Sequence, residues 1–262
     1  SLMLSLNDEG MGGMEEYKSW TQAGFTKGRS HTEQALAAKL LSELTLRLGG
    51  DQGTLFVDFS RFFPEISMNL RVFLDAWCGA RPIASRLVTS LHRKATGEYK
   101  TALGPTRKFG MDCGTGIGCI WAPRASGPCT TLMSRVLQVA AGGRRLTAPE
   151  GYEVEVVDKV FADDLAADST LQRTLQCQAD GVGLASMVLR LPIGHDKESA
   201  SKSAFMWATL VRRVWERSRP LVVHAPIAAK GGREVLARAS DYPYLGLVMG
   251  DGLGHADKRE KT

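Results

Sequence analysis

Val160-Phe161-Ala162-Asp163-Asp164-Leu165 is the stretch on which the fold turns. Apolar residues run up to Phe161 and resume at Leu165, with one small and two acidic residues between them. Tyr152 to Phe161, and the segment from Leu165 onward, therefore predict a strand pair bent at Ala162-Asp163-Asp164. Well upstream, Leu55-Phe56-Val57 is a second short apolar run, and it ends at Asp58. Its length and bounding turns favour a buried strand over a helix. Carboxylates at strand ends are held in fixed positions with their oxygens toward solvent. If the two strands are neighbours, Asp58 and Asp163 are placed to share two Mg²⁺ ions, the arrangement for phosphoryl transfer. An Asp-Asp dipeptide also arises at turns for local reasons alone. The dipeptide by itself decides nothing.

Outward from these segments the chain alternates helix and strand. The first thirty residues are polar, rich in Gly and Met and without a clear period, so order is expected from near Ser30. Ser30 with Glu33 forms a capping-box signature, followed by Leu36, Leu40, Leu41, Leu44 and Leu48 at helical spacing. Gly49 and Gly50 stop that helix, and Asp51-Gln52-Gly53 is expected to turn. Helical patterns cover Ser67 to Trp77 and about Ala84 to Lys94. Tyr99 to Met111 predicts two short strands around Gly104-Pro105, and Thr130 to Ala141 a helix closed by Gly142-Gly143. Ser169 is a candidate cap for a helix carrying Leu171 and Leu175, and Tyr244 to Val248 is strand-like. The class expected is α+β.

Composition sets looser bounds. The chain has 262 residues, 44% hydrophobic and 23% charged, enough to bury a core. A net charge of +5 permits a nucleic-acid partner without demanding one. Its cysteines (Cys78, Cys113, Cys119, Cys129, Cys177) form no CxxC pair and no Cys/His zinc spacing. Hard cations prefer oxygen donors, so magnesium is favoured over zinc. The odd cysteine count and the lack of a leader fit a nuclear or cytoplasmic protein, not a secreted one. No apolar run approaches membrane-spanning length.

Taken in order, the motifs resemble the reverse transcriptase domain of non-LTR (LINE-type) retrotransposons. Trp20 to Ser30 (WTQAGFTKGRS) resembles the family's QxGFRKGRS segment, and Leu55 to Phe63 (LFVDFSRFF) its first catalytic block. Gly114 to Pro123 (GTGIGCIWAP) aligns on GVRQGCxLAP, and Val160 to Leu165 holds the FADD form of YxDD. Lys202-Ser203-Ala204-Phe205-Met206 is similar to the K-S-x-x-M block, and Tyr244-Leu245-Gly246 to the YLG of the primer grip.

The resemblance implies a right-hand polymerase palm, an antiparallel sheet backed by helices, with partial fingers and no thumb. Residues 1–53 correspond to partial fingers, 54–250 to the palm and 251–262 to a polar tail. It implies Mg²⁺, with Mn²⁺ as a substitute, held by Asp58, Asp163 and the less direct Asp164. Phe63 takes the place of the aromatic sugar gate; an ordinary core phenylalanine is the alternative. Lys27 and Arg29 are candidates for template or nucleotide phosphates, or else belong to a solvated loop. Gly118 falls in the nucleotide-binding block. Lys202 corresponds to the lysine that protonates pyrophosphate; a surface lysine is the alternative and Lys197 a competitor. Implied partners are an RNA template, a DNA primer and deoxynucleoside triphosphates, with no membrane and a larger polyprotein around the domain.

Departures are specific. Ile117 stands where the family has Gln, Pro64 where it has Asp, and Arg124 to Pro128 lacks the expected apolar pair. The upstream fingers block and an endonuclease domain are not found. A catalytically inactive remnant is therefore a second expectation. A third is an S-adenosylmethionine-binding, methyltransferase-like domain built on Met111 to Gly118. Such folds want an acidic residue some twenty positions on, and none occurs between Cys119 and Pro149. A carboxylate-based nuclease is a further alternative, separable because it degrades a strand instead of extending it.

Overall fold

The structure is a computed structural model that describes residues 17–110, 114, 122–147, 150–194, 203–208, 222–223, 234–239 and 241–250. Residues 17–30 are tied down, contrary to expectation. Thr21 to Ala23 are buried, Gln22 bridges Val160 in parallel, and the Ala23 N–H donates to the Val160 carbonyl at 2.8 Å. The Gln22 side chain donates to Thr130 Oγ1 at 2.8 Å and accepts from the Gly24 N–H at 2.9 Å. Polar side chains do this packing, so a search for apolar periods passes over it.

Helix α1 (His31–Arg47) starts at the expected capping box: Ser30 Oγ accepts from the Glu33 N–H, and Glu33 accepts from the Ser30 N–H, both at 3.1 Å. Its buried face is not the leucine stripe. Leu36, Leu40, Leu44 and Leu48 are exposed, while Ala35, Ala38, Leu41, Ser42, Thr45 and Leu46 are buried. Small side chains let the helix lie close to the sheet, where Ala35 and Ala38 meet Phe56, Ala166 and Met206.

Strand β1 (Gln52–Val57) begins where a turn was expected. Gly53 is a packing glycine: a Cβ there would lie 2.5 Å from the Trp207 ring. Short helix α2 (Phe62–Glu65) leads to α3 (Met68–Trp77) and α4 (Pro82–Arg93), the last two near their expected spans. Next come β2 (Thr96–Gly97), β3 (Lys100–Thr101), β4 (Gly104–Pro105) and β5 (Phe109–Gly110). Gly104-Pro105 pairs with Lys100-Thr101 and is strand, not connection. The bend lies at Ala102-Leu103, fixed by Thr101 Oγ1 donating to the Gly104 carbonyl at 2.7 Å.

Helix α5 (Ala122–Ala141) starts well before Thr130 and runs through Pro128. Proline usually breaks a helix. Here Thr130 Oγ1 donates to the Ser126 carbonyl at 2.9 Å and Ser126 Oγ to the Pro123 carbonyl at 2.6 Å, so hydroxyls serve carbonyls in the turn that precedes the proline. Gly142, at φ 65°, closes the helix as expected.

The strand expected over 152–161 is divided. Strand β7 (Glu153–Val156) pairs with β6 (Arg144–Thr147), whereas β8 (Asp158–Phe161) pairs with β9 (Asp164–Ser169). Ser169 does not cap α6 (Gln172–Leu189); Leu171 is the N-cap, and Ser169 Oγ accepts from its N–H at 3.0 Å. The chain continues through β10 (Ala204–Ala208), β11 (Val222–Val223), β12 (Glu234–Val235) and β13 (Ala237–Arg238). Strands β14 (Asp241–Tyr244) and β15 (Leu247–Gly250) form a hairpin. The strand expected over Tyr244 to Val248 is thus interrupted: Tyr244, Leu247 and Val248 are strand, and Leu245 at φ 49° with Gly246 at φ 85° makes the turn between them.

The main sheet has the order β13-β10-β1-β9-β8. All its pairs are antiparallel except β10 with β13, so the expected antiparallel sheet carries a parallel edge. Leu55, Val57 and Leu165 pack on one face with residues of α5 and α6. Phe56, Ala166 and Met206 pack on the other, beneath α1 and the β14–β15 hairpin. The α+β class holds, with a sheet covered on both sides. No helix among the described residues is long and apolar enough to cross a membrane.

Candidate functional site

Strand β1 lies beside β9, and Val57 pairs with Leu165. One step further toward the β8–β9 turn, Asp58 therefore stands across from Asp164. Side chains alternate along a strand. Phe56 and Ala166 face α1, so Asp58 and Asp164, two residues beyond them, share that face. Asp163 occupies the two-residue turn between Phe161 and Asp164, which pair with each other. All three carboxylates are half-buried. The two strands expected to carry the acids are neighbours, and their register brings Asp58 and the acidic bend to one end of the sheet.

The loop carrying Lys27 and Arg29 is seated on this turn. Gly24 lies against its backbone so closely that a Cβ would stand 2.1 Å from the Ala162 nitrogen. Lys27 and Arg29 are exposed, and the Arg29 guanidinium donates to the Trp20 carbonyl. Phe25 meets Phe63 edge-on at 6.5 Å, and Phe63 meets Phe62 at 5.3 Å. Phe63 is half-buried where Phe62 is core, so it is neither an ordinary interior residue nor a free one. Gly114, the described member of the glycine-rich block, donates to the Ile66 carbonyl at 2.9 Å and sits against Pro64. Non-glycine residues with left-handed backbone flank the acids: Phe25 at φ 56°, Arg61 at φ 54° and Ala162 at φ 58°. Such conformations cost roughly 1–3 kcal/mol and gather at functional sites.

Asp58 is held by its backbone. Its N–H donates to Ser203 Oγ at 3.1 Å, and its carbonyl accepts from Ser203 Oγ at 3.2 Å and the Gly194 N–H at 2.7 Å. A Cβ on Gly194 would lie 2.9 Å from Asp58 Oδ2, so that glycine leaves room for the carboxylate. On the α1 side, Tyr242 stacks on Phe56 at 4.1 Å with the planes 8° apart. Burial, then Asp164, then Asp58 hold its phenol above the ordinary range. Sequence reasoning missed Gly24, Gly194 and Tyr242 as site residues, since each acts through a contact distant in sequence.

Two further acids on the sheet are structural. Asp158 accepts from Thr21 Oγ1 at 2.6 Å and from Ser134 Oγ, and burial raises its pKa. Asp168 accepts from Thr54 Oγ1 at 2.7 Å and from Gln52 Nε2 at 3.1 Å, and it pairs with buried Lys159. Lys202, Lys197, Ile117 and Gly118 lie outside the described residues. No three His, Cys, Asp or Glu side chains among the described residues form a ready metal cage. The donor set still suits magnesium, which is usually held by one or two carboxylates, waters and substrate phosphates instead of an all-protein cage.

No protein-family model matches the chain, and comparison with curated proteins finds no relative. Among solved structures it is similar to telomerase from Candida tropicalis, determined in complex with the TWJ fragment of telomeric RNA. The TM-score is 0.51 at 12% identity, over 79% of this chain and 32% of that one. The chain thus spans about a third of the telomerase chain it matches. A likeness at this identity bears on the fold alone: the chain shares the fold of the part of that telomerase structure it matches.

Proposed function

We propose that this chain is the palm of an RNA-directed DNA polymerase from a non-LTR (LINE-type) retroelement, with residues 1–53 as partial fingers and 251–262 as a polar tail. The observation that carries this is the β1–β9 register, which sets Asp58 across from Asp164 beside the turn bearing Asp163. The seating of the Lys27/Arg29 loop on the same turn supports it.

Asp58, Asp163 and Asp164 are the residues that would hold Mg²⁺ or Mn²⁺, and the ions would supply charge neutralisation for transfer of a nucleotide to a primer 3′-hydroxyl. Asp164 lies in a paired strand, Asp58 directly follows one and Asp163 sits in a two-residue turn, a backbone frame that would limit reorganisation at the moment of reaction. Lys27 and Arg29 meet phosphates from the exposed side of the loop. Phe63, braced edge-on by Phe25 and Phe62, bears on the deoxyribose and excludes a 2′-hydroxyl. Lys202 gives a proton to pyrophosphate, and Gly118 allows backbone to approach the nucleotide. The partners are an RNA template, a DNA primer and deoxynucleoside triphosphates, within a larger polyprotein in nucleus or cytoplasm.

Primer extension on an RNA template with Mg²⁺ or Mn²⁺ tests the proposal. Asp58→Asn and Asp163→Asn should each abolish extension while the circular-dichroism spectrum and melting temperature stay near those of the unchanged chain. Extension that persists in both variants refutes the assignment. Pro64 and Ile117, which replace polar residues of the family pattern, favour a second reading, an inactive remnant. That form is expected to fold and to extend nothing.

A further inference from the structure

Between α4 and α5 the chain makes a two-stranded ribbon that no step of the proposed reaction uses. Thr96 and Gly97 pair with Gly110 and Phe109, and Lys100 and Thr101 pair with Pro105 and Gly104. Between those pairs two residues of one strand face three of the other, so Thr106 to Lys108 hold the extra residue of a bulge. Tyr99 is fixed opposite it, its N–H donating to Thr106 Oγ1 at 2.9 Å and its carbonyl accepting from the Thr106 N–H at 2.8 Å. The Tyr99 and Phe109 rings stack at 5.3 Å with their planes 25° apart. Gly97 makes room for them: a Cβ there would stand 2.7 Å from the Phe109 ring. Yet the pair is not core, for Tyr99 is 68% exposed and Phe109 41%. Basic residues flank it. From Arg93 to Gly110 five lysines and arginines stand against the single acid Glu98, a net +4 in a chain whose whole balance is +5. Lys100 adjoins Tyr99, Lys108 adjoins Phe109 with Arg107 before it, and all three are exposed. No ion pair among the described residues takes up these three charges.

We infer that this ribbon is a binding surface for single-stranded nucleic acid, with bases stacking on the Tyr99 and Phe109 rings and phosphates meeting Lys100, Arg107 and Lys108. Every base has a π-face, so exposed rings accept a strand whatever its sequence, and cations beside them track its backbone. A duplex keeps its base faces hidden and would meet the charges alone. An acidic protein segment would likewise leave the rings unused. Chain geometry keeps the ribbon near the candidate site: β5 ends at Gly110, four residues before Gly114, which is bonded to the Ile66 carbonyl and sits against Pro64. Four residues span at most about 14 Å, so the ribbon's end stays within that reach of the residue next to Phe63. None of this depends on Asp58 or on a metal ion. A cross-strand aromatic pair can also serve only to hold a hairpin together, and the variants below separate the two roles.

The test is fluorescence anisotropy of a labelled single-stranded oligouridylate, titrated with the full chain in EDTA over a range of salt. Lys100→Ala, Arg107→Ala and Lys108→Ala combined should flatten the dependence of log affinity on log salt by about 2, at about 0.7 per phosphate contact. Tyr99→Ala with Phe109→Ala should weaken binding about tenfold or more and leave that slope unchanged, because stacking releases no counterions. Tyr99→Phe, which keeps the ring, should bind as the unchanged chain does. If removing the rings lowers the melting temperature, the charge variant, at exposed positions, decides by its slope alone. An unchanged slope in the charge variant, or equal affinity after ring removal, overturns the surface. So does an unchanged chain that prefers a duplex of the same length. With metal absent, each of these results leaves the polymerase proposal to the extension assay. Binding with both signatures in a chain that extends nothing leaves this surface standing without the polymerase.

Discussion

At Gly24 and Ala162 a single methyl group separates tolerance from disruption. A Cβ at position 24 would sit 2.1 Å from one backbone nitrogen and 2.8 Å from a Cα of the acid-bearing turn. Neither atom can move without moving Asp163. Gly24→Ala should therefore cost about 1–3 kcal/mol, the range for forcing a methyl into packed surroundings. It should also reduce extension more than its stability loss explains. Ala162 shows the reverse. It holds φ 58° in a two-residue turn, a conformation that glycine adopts freely. Ala162→Gly should stabilise the chain by up to about 1 kcal/mol by relieving that strain, less the entropy glycine adds to the unfolded chain. Thermal melts of the two variants side by side check both signs. These contacts explain why the residue scale was only partly legible. The aspartates stand at strand ends, which apolar runs announce; the contacts of Gly24, Gly194 and Tyr242 join segments far apart in the chain.

At the scale of elements, the strands that carry the acids were readable and their neighbours less so. Asp58 and Asp163 follow runs whose burial decides their conformation. Gly53 looked like a turn because glycine serves both turns and tight packing, and only Trp207 overhead distinguishes the two. Pro128 hid the first part of α5 for a similar reason, since hydroxyls of Ser126 and Thr130 serve carbonyls in the turn before it. The union of β1, β8 and β9 depends on a buried polar network. Lys159 and Asp168 form an ion pair there, with Thr54 and Gln52 donating to the same carboxylate. Asp168→Asn leaves the ammonium buried without its counter-charge, which typically costs about 3–5 kcal/mol. The defect should depend on pH. Burial pushes the Lys159 amine down to about 7 from 10.5, against the pull of Asp158. Between those values the unfolded chain binds more protons than the folded one, so stability rises with pH. The unchanged chain should therefore gain stability as pH rises from about 7 toward 10, and Asp168→Asn, which removes the anion beside the amine, should make that rise steeper. A denaturation series across that range would expose a defect of constant size if the ammonium were not its source.

On the scale of the whole molecule, the outer face of α1 departs most from a closed fold. Leu40 and Leu44 are 55% and 49% exposed. With Trp20, Leu41, Leu146 and Val156 they line an apolar cleft of 510 Å³. A sequence reader takes leucines at helical spacing for the buried side. The small residues between them lie closer to the sheet, so the large ones were left outside. Leu40→Gln with Leu44→Gln should change the unfolding free energy by no more than about 0.5 kcal/mol per site, as exposed positions do. The double variant should also bind less of an environment-sensitive dye such as ANS. A large loss of stability would mean that the stripe is core after all.

The alternation that gathers the acids on one face has a sharper implication for how the protein can fail. Strand side chains repeat every second residue, so a shift of β1 by a single position against β9 would exchange its two faces. Asp58 would then be driven into the greasy layer beneath α5 and α6, and Phe56 would lose its partner Tyr242. Misthreaded molecules thus have no half-working site to offer. In a refolding experiment, recovered catalysis should track recovered native sheet molecule for molecule, with no partially competent population between.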